Sequence, residues 1–142
     1  MKSNPNQAEI KINKQYAQIP LVQCYPGKLN QVFMNLLSNA IDALDAARIS
    51  DKSAHIYIST QIIDENWIGI CIADNGMGIK EEVRGNIFDP FFTTKPVGKG
   101  TGLGLSVSYQ IIVETHKGKI FCDSELGKGT KFIIEIPIHQ RL

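Results

Sequence analysis

Much that would announce a specialised chain is missing from these 142 residues. The three cysteines, Cys24, Cys71 and Cys122, stand far apart in apolar or strand-like surroundings. An odd, scattered set excludes a disulfide framework and reads as reduced core residues of a cytoplasmic chain. No apolar run approaches the roughly 20 residues that cross a bilayer, so no membrane contact is expected. The polar stretch 1–13 excludes a signal peptide. A net charge of +1 leaves no basic face for nucleic acid. The three histidines, His55, His116 and His139, lack metal-ligand spacing, and His116 reads as a helix C-terminal residue favoured by the dipole. No GK[ST] follows a glycine loop, and GxGxxG, GxSxG and HExxH are all absent. Repeats and low-complexity segments are absent too.

What is present is the make-up of one soluble domain: 43% hydrophobic and 20% charged residues over a length that buries a sizeable core. Residues 1–8 read as a polar lead-in and 9–142 as the domain. The most unusual stretch is Gly98-Lys99-Gly100-Thr101-Gly102-Leu103-Gly104-Leu105, with glycine at every second position. Glycine lets backbone approach a ligand closely, and free N–H groups at a helix start attract anions. Unlike a flexible linker, the run carries Leu103 and Leu105 and leads into an apolar segment.

Along the chain, residues 9–16 alternate as a strand, 21–25 read as a second one, and Pro26-Gly27 breaks the chain before a helix over about 29–47. That helix carries Leu29, Val32, Phe33, Leu36, Leu37, Ala40, Ile41 and Leu44 as one buried stripe. Asn35, Asn39 and Asp42 lie within roughly 60° of arc on the opposite side. Solvated helix faces favour Lys, Glu and Gln, whereas Asn and Asp weaken a helix interior, so two asparagines one turn apart suit a neutral polar ligand role as well as a solvated face. Strands over 55–63 and 67–73 are joined by Asp64-Glu65-Asn66 as a hairpin. The second runs into Asp74-Asn75-Gly76-Met77-Gly78, which looks like another hairpin turn, yet the charged stretch 79–84 is helix-like and offers no returning strand. Residues 77–101 read as a long excursion holding one short helix and the cluster Ile87-Phe88-Asp89-Pro90-Phe91-Phe92, a satellite core or hinge clamp. Residues 105–114 fit helix or strand; their length and the Lys117-Gly118 stop favour a helix. Strands over 119–123 and 130–138 close the chain. The order ββαββ(lid)αββ predicts an α+β, two-layer sandwich with about three helices on one face of a mixed, mostly antiparallel sheet.

The polar residues left over suit a nucleotide. Asp74 at a strand end accepts from an exocyclic amine, with Gly76 and Gly78 leaving room for a flat ring. The Asn39 oxygen suits Mg²⁺, which takes oxygen ligands and keeps its waters and phosphates. The glycine run offers amides to phosphates, and Lys95 or Lys99 neutralises the terminal one.

In these residues the chain resembles the ATP-binding catalytic domain of two-component sensor histidine kinases, in the superfamily shared with DNA gyrase, the MutL proteins and the large heat-shock ATPase chaperones. The resemblance runs from about residue 10 to 138 through five ordered boxes. Gln31-Val32-Phe33-Met34-Asn35-Leu36-Leu37-Ser38-Asn39-Ala40 resembles the asparagine box, Asp74-Asn75-Gly76-Met77-Gly78 the first glycine box and Phe88-Asp89-Pro90-Phe91-Phe92 the phenylalanine box. Gly100-Thr101-Gly102-Leu103-Gly104-Leu105 resembles the second glycine box and Gly127-Lys128-Gly129-Thr130 the last.

The resemblance implies the Bergerat-type sandwich with ATP under a mobile lid, about 77–101. Asn39 then coordinates Mg²⁺, Asn35 lies beside the phosphates, Asp74 reads the adenine amine and Thr130 supports it through water. Lys95 contacts the γ-phosphate as the candidate catalytic residue. Gly98 and Gly100 form the hinge of the lid, while Gly102 and Gly104 admit the phosphates to the helix beginning near Leu105. Hydrolysing members place a glutamate one turn before the metal asparagine; Asn35 stands there instead and cannot take a proton, which favours transfer to a histidine over hydrolysis. Asp42 departs from the pattern, since many histidine kinases carry a basic residue at that point. No H-[DE]-x-x-x-P precedes the asparagine box, so the chain resembles a catalytic module cut from a longer kinase. Its expected partners are a histidine-bearing dimerisation domain of that kinase and, indirectly, a response regulator; the isolated domain is expected to be monomeric. A nucleotide-binding switch without transferase activity and a chaperone- or MutL-type ATPase stand as alternatives.

Overall fold

A computed structural model describes residues 9–46, 53–90 and 104–140. The elements are β1 (Ile10–Gln15), α1 (Pro26–Ala46), β2 (Ala54–Ile62), β3 (Trp67–Asp74), α2 (Glu81–Arg84), α3 (Gly104–Tyr109), a π-helical turn Gln110–Thr115 continuing α3, β4 (Lys119–Glu125) and β5 (Gly129–Pro137). The five strands form one open sheet in the order β1-β2-β3-β5-β4, with β1 parallel to β2 and every other pairing antiparallel.

Alternation builds the core. Ile68, Ile70 and Ile72 of β3 and Phe132, Ile134 and Ile136 of β5 are buried at every second position, because successive strand side chains point to opposite faces. They meet Leu29, Val32 and Leu36 of α1 and Ile111 and Ile112 of the π turn in one cluster. The expected α+β sandwich is therefore the observed one, and 105–114 is helical.

Several expectations are corrected. Residues 21–25 form no strand: Gln23 N–H donates to the Ile138 carbonyl at 2.8 Å, but no ladder follows. The alternation there records one-sided packing of a strap, since Val22 and Cys24 lie against the core while Leu21 is 99% exposed. The sheet consequently has five strands and begins β-α-β. Pro26-Gly27 does not break the chain but opens the helix, because Leu29 N–H already donates to the Tyr25 carbonyl at 2.9 Å. Proline suits the first helical position, where its missing N–H would have no partner. The apolar stripe of α1 is also narrower than expected, with Ile41 exposed.

His116 does end a helix, but not as a surface cation. It is fully buried, its Nδ1 lies 2.8 Å from the Ile111 carbonyl, and its Nε2 accepts from Tyr25 N–H at 3.0 Å. Donation at one nitrogen and acceptance at the other define the neutral Nδ1–H tautomer. The ring thus ties the strap to the end of the α3 helix.

Candidate active site

β3 ends on Asp74, which sits opposite Thr130 in the register of β3 and β5. Both side chains fall on the helix-covered face and are buried. The Asp74 carboxylate accepts from Gly76 N–H at 2.8 Å and from the Thr130 backbone N–H. Burial nevertheless pushes its carboxyl above the usual range, the two hydrogen bonds opposing that rise. Asn75 holds the turn by accepting from His55 N–H at 2.8 Å and donating to the Ser53 carbonyl at 2.7 Å. Burial pushes the nearby Cys122 thiol up to about 11.

The glycines around Asp74 serve the fold directly. Gly78 has φ +80° and Gly129 φ +128°, conformations that other residues rarely adopt. A Cβ on Gly78 would overlap the Glu125 carbonyl, and one on Gly129 the Asp74 carbonyl. On Gly76 it would stand 2.8 Å from the Ala43 carbonyl oxygen of α1. The protein's own backbone thus occupies the Cβ positions at Gly76 and Gly78, and the strand end is pressed against α1.

Helical spacing places Asn35, Asn39 and Ala43 on one stripe of α1, rising about 12 Å in all. Its C-terminal end meets Gly76. At its N-terminal end Asn35 Nδ2 donates to the Gly104 carbonyl at 3.1 Å and to Ser108 Oγ at 3.3 Å, while Ser108 Oγ donates to the same carbonyl at 2.8 Å. One helix stripe therefore joins the first glycine box to the start of α3. Asn39 lies half-buried between those ends, and Asp42 is exposed. Among the described residues, a Cβ on Gly104 would meet the Asn35 side chain first, at 3.7 Å, an ordinary contact distance. Leu105 packs against the core, as do Ile87 and Phe88 of the phenylalanine box. Phe88 stands 5.6 Å from the Tyr109 ring and 6.4 Å from that of Phe132.

Lys95, Lys99, Gly100, Thr101, Gly102 and Leu103 lie outside the described residues, as do Phe91, Phe92 and Gly98. Ser108 and Ser124 were missed by sequence reasoning. Helical spacing from Gly104 would have marked Ser108, and counting back across the Gly127 turn would have placed Ser124 opposite Thr130.

Residues 24–140 match the family model described as histidine kinase-, DNA gyrase B- and HSP90-like ATPase. Sporulation kinase E of Bacillus subtilis (strain 168) is 41% identical over 122 residues, which are 86% of this chain and 15% of that protein, so the chain spans a small part of the relative's length. Among solved structures, the catalytic domain of histidine kinase ThkA matches at TM-score 0.75 and 34% identity, covering 91% of this chain and 80% of that one. Full-length ShkA in complex with AMPPNP matches at TM-score 0.77 and 25% identity, over 93% of this chain and 26% of that one. With its sheet, its glycine boxes and these likenesses in agreement, the chain belongs to the family of histidine kinase-, DNA gyrase B- and HSP90-like ATPases.

Proposed function

We propose that the chain binds Mg-ATP and donates the γ-phosphoryl group to a histidine on a separate dimerisation domain of a two-component sensor kinase. The carrying observation is the α1 stripe that runs from Gly104 to Gly76 beside the buried Asp74 carboxylate. In this reading Asp74 faces the adenine amine with Thr130 supporting it through water, the stripe follows the sugar and phosphates, and Gly104 and Leu105 bring the start of α3 to the phosphates. Lys95, Lys99 and residues 100–103 complete the phosphate side from outside the described residues.

The donor set suits magnesium. Among the described residues no group of three or more His, Cys, Asp or Glu side chains is gathered to hold a metal. The half-buried Asn39 carboxamide offers one hard neutral oxygen, the kind of partial ligation Mg²⁺ accepts while keeping phosphate and water ligands. When bound, the ion supplies charge neutralisation at the phosphates. Asn35 is tied to Gly104 through its amide and has no basic site for a proton. Positioning without a general base fits transfer to a nucleophile from another domain better than activation of water.

The location is proposed to be cytoplasmic; among the described residues no helix is long and apolar enough to cross a membrane. The response regulator receives the phosphoryl group from the histidine, and this chain acts as a monomer without nucleic-acid or membrane contact. Incubating the chain with γ-labelled ATP and an acceptor-histidine domain is expected to label that histidine. Binding without label supports the regulatory switch instead, and steady phosphate release without acceptor supports an ATPase.

A further inference from the structure

Ser124 of β4 has three polar neighbours and one proton. Its Oγ accepts from Ile79 N–H at 2.7 Å, stands 3.0 Å from the Gly129 carbonyl oxygen and 2.8 Å from Thr130 Oγ1. A backbone N–H only donates and a carbonyl oxygen only accepts, so two of the three roles are set. If Ser124 donated to Thr130, its lone pairs would face the Gly129 carbonyl with no proton between them. Every partner is satisfied only when Ser124 accepts from Ile79, donates to Gly129 and uses its second lone pair to accept from Thr130.

The Thr130 hydroxyl proton is then turned toward Ser124, leaving Thr130 Oγ1 only lone pairs to present elsewhere. Thr130 is register-paired with Asp74 on the same face, and both are buried. A carboxylate and a hydroxyl oxygen without its proton make an end of the site that only accepts.

We propose that Ser124 is a specificity-determining positioning residue: by holding the Thr130 proton away from the base, it makes the site select a 6-amino purine over a 6-oxo purine. An amine brings N–H donors to this acceptor-only end, directly at Asp74 and through water at Thr130, whereas a 6-oxo group brings further lone pairs into a buried place where unmatched acceptors are costly. The same hydroxyl pins Ile79, the residue after Gly78, so loss of Ser124 loosens the loop and weakens all nucleotides. Only the direction of the Thr130 proton changes the choice between them. The inference rests on the proposed adenine-facing role of Asp74 and Thr130.

Calorimetric titration with MgATP and with magnesium inosine triphosphate, which differs by a 6-oxo group and a proton on N1, separates these effects. The unaltered chain is expected to prefer ATP by about tenfold or more, and Ser124→Ala to narrow that ratio roughly fivefold to tenfold, the worth of one neutral hydrogen bond. Ser124→Thr keeps the hydroxyl and should restore the preference. Should Ser124→Ala fail to fold, Thr130→Val, which removes the Thr130 acceptor itself, is expected to narrow the ratio as well. Equal weakening of both nucleotides in folded Ser124→Ala, or an unchanged ratio in Thr130→Val, overturns the inference while leaving the proposed function standing. Absence of ATP binding by the unaltered chain overturns that function, and the inference with it.

Discussion

At Asp74 stability and the proposed function pull in opposite directions. Its folded carboxyl titrates above the ordinary aspartate range because burial disfavours the charge. The folded state therefore holds its proton to higher pH than the unfolded state does, and stability from this group falls as pH rises from the unfolded value through the folded one. Above that window the full cost of the buried carboxylate remains. Asp74→Asn keeps an oxygen for Gly76 N–H and removes the charge, so the nucleotide-free variant is expected to melt at or above the temperature of the unaltered chain at pH 7, with no advantage near pH 3. The same change should weaken ATP by about 10- to 100-fold, the worth of a hydrogen bond to a charged group. Thermal melts across pH, paired with calorimetry, check both halves. Asp74 was legible in the sequence because a carboxylate between an apolar strand and two glycines is an unusual neighbour. Ser124 was not, since a lone serine in a strand has no signature until the hairpin register brings it to Thr130.

The glycines near the candidate site sort by element into Gly76, Gly78 and Gly129, which the fold requires, and Gly104, which it does not. Gly78 sits at positive φ beneath the β4–β5 turn, so Gly78→Ala is expected to lower stability by about 1–3 kcal/mol, measured by urea titration. Gly104, at the start of α3, has room for a methyl group among the described residues, and alanine there favours the helix by up to about 1 kcal/mol. Gly104→Ala should therefore fold as well as the unaltered chain and yet bind MgATP about tenfold or more weakly, because close approach of phosphate to the backbone is lost. Equal affinity would remove Gly104 from the site. Sequence periodicity located α1 within three residues at its start, and the error was chemical: Pro26 was taken as a breaker when its position made it an opener. The strap at 21–25 was misread because one-sided burial leaves an alternating pattern whether or not a ladder forms. The π turn at Gln110–Thr115 has no periodic signature over so short a length, and its signs, the His116-to-Ile111 backbone bond and Lys117 at φ 58°, are geometric.

At the scale of the whole molecule, the strand order sets the site. The hairpin of β2 with β3 was readable from its turn residues, and β4 and β5 as successive closing strands. The parallel pairing of β1 with β2 and the insertion of β5 beside β3 depend on contacts far apart in the chain, which local pattern does not encode. That insertion brings Thr130 to Asp74, while α1 crosses from Gly76 to Gly104, so boxes separated by dozens of residues become one surface. The central claim is that this surface holds Mg-ATP along the α1 stripe. The most direct measurement is MgATP affinity of Asn39→Ala by calorimetry, with circular dichroism confirming its fold. The account predicts a folded variant whose affinity falls by about 100-fold or more, from loss of the metal ligand; a folded variant that binds MgATP as tightly as the unaltered chain would contradict it.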